Sequence, residues 1–423
     1  MKGVVSFWDG DEEMPEQINA GDTAWVLASA ALVMVMTPGL ALFYGGLVRG
    51  KNVVSTLIHS FFILALISVQ WVLWGYTLAF GPDRSGLIGG LAWLGLKGVG
   101  GEPNATYAAT IPHLAFMVFQ MMFAIITPAL ITGAFAERKR FKAFVLFSLL
   151  WATFVYDPIA HWVWAEGGWL RSLGVLDFAG GTVVHISSGV SALVAAMMLG
   201  PRLDFSESPE AHNLPFTALG AALLWFGWFG FNAGSALSAG ALAASAFVVT
   251  NTAAAMAGLT WMTMGWVHQG RASLAGFCVG AVAGLVAITP ASGYVDARAA
   301  VLIGFVAGLI CYWAVYLIKA RFRVDDALDV FGVHGIGGVW GALATGLFAT
   351  KVVNAAGGDG LFFGNPAQLL TQGIGVATTV AYAAVMTWII LKVLAMTVGI
   401  RVEEQEEMLG LDVTTHGERA YRT

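Results

Sequence analysis

Asp177-Phe178-Ala179-Gly180-Gly181-Thr182-Val183-Val184-His185, followed after three residues by Gly189, has a counterpart far along the chain: Asp326, seven residues, His334, three residues, Gly338. Val184 and Val333 each stand immediately before the histidine. Both histidines sit in long apolar stretches. A helix needs about 20 apolar residues to cross a hydrocarbon core of about 30 Å, and there it must satisfy its own backbone hydrogen bonds. The fold therefore depends on how many such stretches exist and which way each one runs.

Eleven stretches qualify: 23–48, 52–80, 111–136, 143–163, 179–199, 214–235, 241–267, 274–291, 299–318, 332–350 and 368–396. The 423 residues are 58% apolar and 11% charged, against roughly 25% charged in soluble domains. An all-α polytopic membrane protein follows, surrounded by lipid. Aromatic residues at 12% exclude a disordered chain. A net charge of -5 without a basic stripe excludes nucleic acid as a partner. Cys278 and Cys311, both in apolar stretches, exclude a disulfide framework and thiolate metal motifs. No metal or cofactor is expected, and no enzymatic activity.

Cytoplasmic loops retain Lys and Arg. One side of the membrane holds Arg49, Lys51, Arg138, Lys139, Arg140, Lys142, Arg202, Arg271, Lys319, Arg321 and Arg323, and the tail adds Arg401, Arg419 and Arg422. The other side holds Lys2, Arg84, Lys97, Arg171, Arg298 and Lys351. The N-terminus is thus predicted outside and the C-terminus inside. Residues 1–21 form an acidic extracytoplasmic segment with Asp9, Asp11, Glu12, Glu13 and Glu16, unlike a signal peptide and expected to remain uncleaved. Residues 22–400 form the transmembrane domain. Residues 401–423 form a polar cytoplasmic tail, read either as a docking or regulatory segment or as a solvated end.

With this orientation the fifth span runs inward and the tenth outward. The two motif copies are therefore inverted, as in transporters built from two halves of opposite direction. Ile126-Thr127-Pro128-Ala129 in the third span recurs as Ile288-Thr289-Pro290-Ala291 in the eighth. A five-plus-five inverted repeat results, with the eleventh span peripheral. Eight residues at 1.5 Å each bury a histidine about 12 Å below its aspartate. Two such depths from opposite faces leave roughly 6 Å of a core about 30 Å thick, so His185 and His334 are predicted to be neighbours near the midplane.

Ionisable residues at membrane depth are costly and face a pathway or a partner. His59, His113 and His161 are read as structural histidines satisfied by neighbouring helices. The symmetric pair is read differently: neutral imidazole offers one donor and one acceptor, so two bonded rings can line an apolar pore and pass a small polar species or relay a proton. Haem or metal ligation is disfavoured, because each helix supplies one histidine and no carboxylate stands within a turn of either. Glycine, 53 residues in all, suits a narrow conduit between closely approaching helices. Asp177 and Asp326 are predicted to cap the fifth and tenth helices, with Asp177 also biasing the outer mouth toward cations.

The whole chain from about Asp22 to Tyr421 resembles the ammonium transporter family, Amt/Mep/Rh, and its bacterial Amt branch in particular. The resemblance rests on four runs in the spans: Pro38-Gly39-Leu40-Ala41-Leu42-Phe43-Tyr44-Gly45-Gly46-Leu47-Val48-Arg49, Asp177 through His185, Gly227-Trp228-Phe229-Gly230-Phe231-Asn232-Ala233-Gly234-Ser235, and Asp329-Val330-Phe331-Gly332-Val333-His334-Gly335. Gly410-Leu411-Asp412-Val413 with His416-Gly417-Glu418 resembles the tail of that branch.

The resemblance implies a homotrimer in the bacterial inner membrane with one pore per subunit. It implies an ammonium-binding site at Phe123, Trp164, Phe231 and Ser235, a phenyl gate at Phe119 and Phe231, and a pore passing His185, His334 and Thr289. Ammonium, with methylammonium as an analogue, would be bound, deprotonated and passed as ammonia, with net electrogenic uptake favoured. A PII-type signalling protein would dock on the cytoplasmic face. Some relatives sense ammonium, which here would require a partner in trans. Asp157, before Pro158, departs from the family pattern, and the residues alone give no firm account of it.

Overall fold

The computed structural model describes residues 18–205 and 211–421. Ten helices among them are long and apolar enough to cross a membrane. In chain order these are α1 Ala20–Leu47, α2 Gly50–Phe80, α3 His113–Phe135, α4 Phe141–Leu173, α5 Gly181–Leu199, α6 Leu214–Gly234 and α7 Ala241–Gln269, then α9 Ala297–Ala320, α10 Phe331–Phe348 and α11 Pro366–Thr397. Between α7 and α9 lies α8, Leu274–Ile288, which at 15 residues is shorter than the span expected over 274–291. It ends where Thr289-Pro290 begins a series of turns. Most of the acidic segment expected over 1–21, residues 1–17, lies outside the described residues.

Two counterpart pairs of helices pack directly against one another. The first helix of each proposed half, α1 and α6, lie along one another, and glycine admits the partner: a Cβ at Gly230 would stand 2.6 Å from Leu32 Cβ, and one at Gly234 2.5 Å from Ser29 Cβ. Lipid supplies no hydrophobic drive between helices, so contact of this kind is what binds them. The fifth helices, α5 and α10, also meet directly.

Not all of the chain is helical. The 81–112 connection carries two antiparallel hairpins, β1 Asp83–Arg84 with β2 Ile88–Gly89 and β3 Pro103–Asn104 with β4 Ala108–Pro112. These mark one end of the bundle, the hairpin end. His161 in α4 ties β1 down, with Nε2 2.9 Å from Asp83 Oδ1 and Nδ1 2.9 Å from the Ala79 carbonyl. His113 pairs with the Tyr76 hydroxyl at 2.6 Å, and His59 packs among Phe135, Phe141 and Phe144. His113 and His161 thus have hydrogen-bond partners, and His59 has aromatic packing.

The opposite end is rich in arginine. Glu137, with its side chain wholly buried, accepts from the backbone and guanidinium of Arg49, from Asn52 and from Arg202 at 2.7–3.0 Å. Burial would raise its pKa, but the hydrogen bonds from Arg49 and the charge of Arg202 prevail and hold it near 2. Arg202 also forks onto Asp325 at 2.8–2.9 Å. Arg138 donates to the carbonyls of Ala134, Ala136, Gly200 and Asp325, satisfying chain ends that no helix can. These side chains tie the connections following α1, α3, α5 and α9 into one layer.

The tail packs on the same layer through two short helices, α12 Glu404–Leu409 and α13 Leu411–His416. Asp412 accepts from Ser55 N at 2.8 Å, Leu411 N donates to Asn52, and Glu407 accepts from Leu203 N and Arg401.

Candidate functional site

α5 and α10 each begin with a π turn, Gly181–Ile186 and Phe331–Gly335, and each turn contains the motif histidine. A π turn widens the helix by one residue and often marks a functional site. The two imidazoles meet Nδ1 to Nδ1 at 3.2 Å, with ring centroids 5.3 Å apart. This is the proximity that inverted placement of the motif predicts. Nδ1 of one ring must carry the hydrogen and the other must accept it, so the two neutral rings differ in tautomer. Their outer nitrogens then differ as well: one Nε2 is a bare acceptor and the other an N–H donor. Nε2 of His185 is buried with no protein partner.

Trp228 lies nearly parallel to His185, with centroids 5.4 Å apart and planes 23° apart. Its Nε1 donates to Thr289 Oγ1 at 2.9 Å, and that hydroxyl donates to the Leu285 carbonyl at 2.7 Å. Thr289, expected on the pathway, has its hydrogen and one lone pair engaged, and its hydroxyl fixes the indole of Trp228.

Two cavities flank the Phe123–Phe231 ring pair. At the hairpin end a cavity of about 210 Å³ is lined by Phe123, Trp164 and Ser235, with Gln120, Tyr107 and Arg171. Beyond Phe231 a void of about 10 Å³, close to the size of one water, touches His185, His334, Trp228 and Phe231. The partition between them is the ring of Phe123 against that of Phe231, centroids 4.3 Å apart. The phenyl pair expected at Phe119 and Phe231 is therefore built from Phe123 and Phe231. Phe119 stands one turn earlier on α3, 5.0 Å from Phe123 and nearly perpendicular to it, and braces that ring from behind. Phe231, expected in the ammonium-binding set, lines the small void, while Phe123, stacked on it, lines the large cavity.

Trp164 sits edge-on to Phe123 at 5.9 Å and is fixed by Nε1 donating to the Asp177 carbonyl at 2.9 Å. Ser235 Oγ donates to the Phe231 carbonyl at 2.8 Å, leaving its lone pairs to accept. Two residues of this cavity were not singled out in the sequence. Gln120 Oε1 is buried on the wall without a partner; its signal was being the one polar residue in Met117–Ile126. Arg171 reaches back to the Trp164 carbonyl at 2.6 Å, and no motif marked it.

The two aspartates are not equivalent. Asp177 accepts from the amides of Gly180, Gly181, Thr182 and Val183 at 2.6–3.2 Å and from the Thr182 hydroxyl. Five donors fill a carboxylate's roughly four lone-pair directions, so Asp177 is a cap that can act on a cation only through space. Asp326 accepts the Phe331 amide at 2.7 Å through Oδ2, while Oδ1 has no partner. Burial, with the charge of Asp329 beside it, pushes its carboxyl up to about 6.

The comparisons with known proteins agree with this architecture. Residues 24–421 match the family model described as Ammonium Transporter Family. The chain is 55% identical over 402 residues to an ammonium transporter of Bacillus subtilis, covering 95% of this chain and 98% of that one. The crystal structure of Candida albicans Mep2 superposes with a TM-score of 0.88 at 40% identity, over 96% of this chain and 91% of that one. A structure titled Sensor Amt Protein superposes with a TM-score of 0.87 at 31% identity, over 94% and 98%. With matching of this extent around the paired histidines, the chain belongs to the ammonium transporter family.

Proposed function

We propose that the protein carries ammonium across a membrane by holding the cation in the 210 Å³ cavity, removing its proton and passing ammonia along the two histidines. The observation that carries this reading is the change of surroundings across the Phe123–Phe231 pair. On one side a cation has aromatic faces at Phe123 and Trp164, and acceptors at Ser235 Oγ and Gln120 Oε1. On the other it would meet a void of about 10 Å³ walled by Met36, Leu40, Ile126, Val184 and Leu224. A bare cation there would lose several kcal/mol or more of hydration without compensation. Neutral ammonia would not, and it can donate to the bare Nε2 while accepting from the other.

Net electrogenic uptake is the form we favour, with the proton crossing separately from ammonia. The hairpin end faces outside and the arginine-rich end faces the cytoplasm of a bacterial inner membrane. The working unit is a homotrimer with one pore per subunit, α8 counts as a spanning helix, and a PII-type protein docks on the arginine-rich face with the folded tail. Methylammonium is carried as an analogue.

Current and lumenal pH recorded on proteoliposomes after an ammonium pulse test this. Current is expected. Alkalinisation without current selects neutral gas conduction, and neither signal overturns transport. Kinship with a structure titled as a sensor supports a second reading, an ammonium sensor acting through a partner in trans, in which binding is retained and both signals are absent.

A further inference from the structure

Away from the pathway, α2 and α4 each contain a π turn, Trp71–Gly75 and Ala152–Tyr156. Gln70 precedes the first and Asp157 follows the second, and both are buried. Gln70 Nε2 donates to Asp157 Oδ2 at 2.9 Å. The oxygens left over, Gln70 Oε1 and Asp157 Oδ1, are each buried without a donor. Gly75 leaves the space in which the carboxamide lies, since a Cβ there would stand 2.6 Å from Oε1 and 2.7 Å from Nε2. Asp157 enters no ion pair among the described residues.

An anionic Asp157 would have one hydrogen bond and no counter-charge at membrane depth, which costs several kcal/mol. It would also leave two buried acceptors without donors, Gln70 Oε1 and Asp157 Oδ1, on the two residues that the Nε2–Oδ2 hydrogen bond joins. One proton removes both penalties. We propose that Asp157 is a proton-binding site within the membrane, held as the neutral acid in a ring with the Gln70 carboxamide. The Asp157 Oδ1–H donates to Gln70 Oε1, and Gln70 Nε2–H donates to Asp157 Oδ2. Around the ring, α2 contributes Gln70 and Trp74, which donates to Thr153 Oγ1 at 3.0 Å. α4 contributes Thr153 and the Tyr156 hydroxyl, buried and unpartnered. Asp177, within Coulombic reach of Tyr156, has its oxygens already filled. The ring joins α2 to α4 across 87 residues of sequence and stands independently of how ammonium is carried.

Infrared spectroscopy of the full chain in liposomes at pH 8 tests this, because Asp326, near 6, is ionised there. A carbonyl band of a protonated carboxylic acid is expected, with complete loss in Asp157→Asn. That variant keeps the fold, since an asparagine amide can replace both bonds. Gln70→Leu is expected to move the band to the frequency of an unbonded acid. Absence of the band in the wild type at pH 8, or its persistence in Asp157→Asn, overturns the proposal; the wild-type reading decides even where the variant fails to accumulate.

Discussion

Gly189 and Gly335 lie backbone against backbone where α5 crosses α10. A Cβ on Gly189 would stand 2.9 Å from the His334 carbonyl carbon and closer still to Gly335 itself, while one on Gly338 would stand 3.1 Å from His185 Cβ. The glycine of each motif thus makes room for the histidine segment of the other. Gly189→Ala is expected to push the helices apart and lengthen the 3.2 Å histidine contact, with an overpacking cost of about 1–3 kcal/mol. Thermal unfolding in detergent and ammonium flux check this; wild-type values in both would show that the crossing is not tight.

Phe123→Ala is expected to merge the two cavities by removing the ring that faces Phe231, with loss of selectivity against other monovalent cations. Phe119→Ala leaves that ring pair in place and is expected to lower stability by about 3–5 kcal/mol more than it alters selectivity. Reversal potentials with mixed cations distinguish them, and equal effects would mean that Phe119 is itself part of the partition.

These residues show what a sequence can and cannot disclose. Paired His185 and His334 were legible because a spaced motif recurs in inverted spans, so simple rise per residue fixes their depth. Phe119 and Phe123 were not separable, because residues four apart share a helix face and only packing against Phe231 decides between them. The Gln70–Asp157 contact joins helices whose adjacency no local pattern encodes, and the π turns depend on where neighbouring backbones fall. Asp177 was readable as a cap, but the filling of all its acceptor sites became apparent only in three dimensions.

Thr289→Val removes the acceptor of the Trp228 indole N–H. Leaving that N–H buried is expected to cost about 1–3 kcal/mol and to reduce flux by freeing the ring stacked on His185. Thr289→Ser restores the acceptor and should recover both. A valine variant with unchanged melting and flux would remove Thr289 from the support of the histidine pair.

Asp326 gives a pH signature. Its carboxyl titrates near 6 in the folded protein against an ordinary 3.8, so the folded state holds the proton more tightly. Its contribution is greatest below about 4, declines as pH rises toward 6 and is lost above, a change of roughly 3 kcal/mol. Glu137, held near 2 against an ordinary 4.5, acts oppositely: its contribution is present above 4.5 and lost below. Between pH 4.5 and 6 the Asp326 effect is therefore separated from that of Glu137, and the variant reads it. Asp326→Asn keeps an acceptor for the Phe331 amide and is expected to flatten the stability profile in that window, which unfolding midpoints across pH measure; a variant slope equal to wild type would assign the effect elsewhere.

The void of about 10 Å³ beside the histidines sets a rule of occupancy. A chamber that admits one small molecule has no place for that molecule together with its hydration shell, so whatever enters must arrive already stripped. Under the proposed function, passage is a queue of single guests, each leaving before the next is admitted. Discrimination rests less on how tightly the chamber grips than on which species can afford to enter undressed.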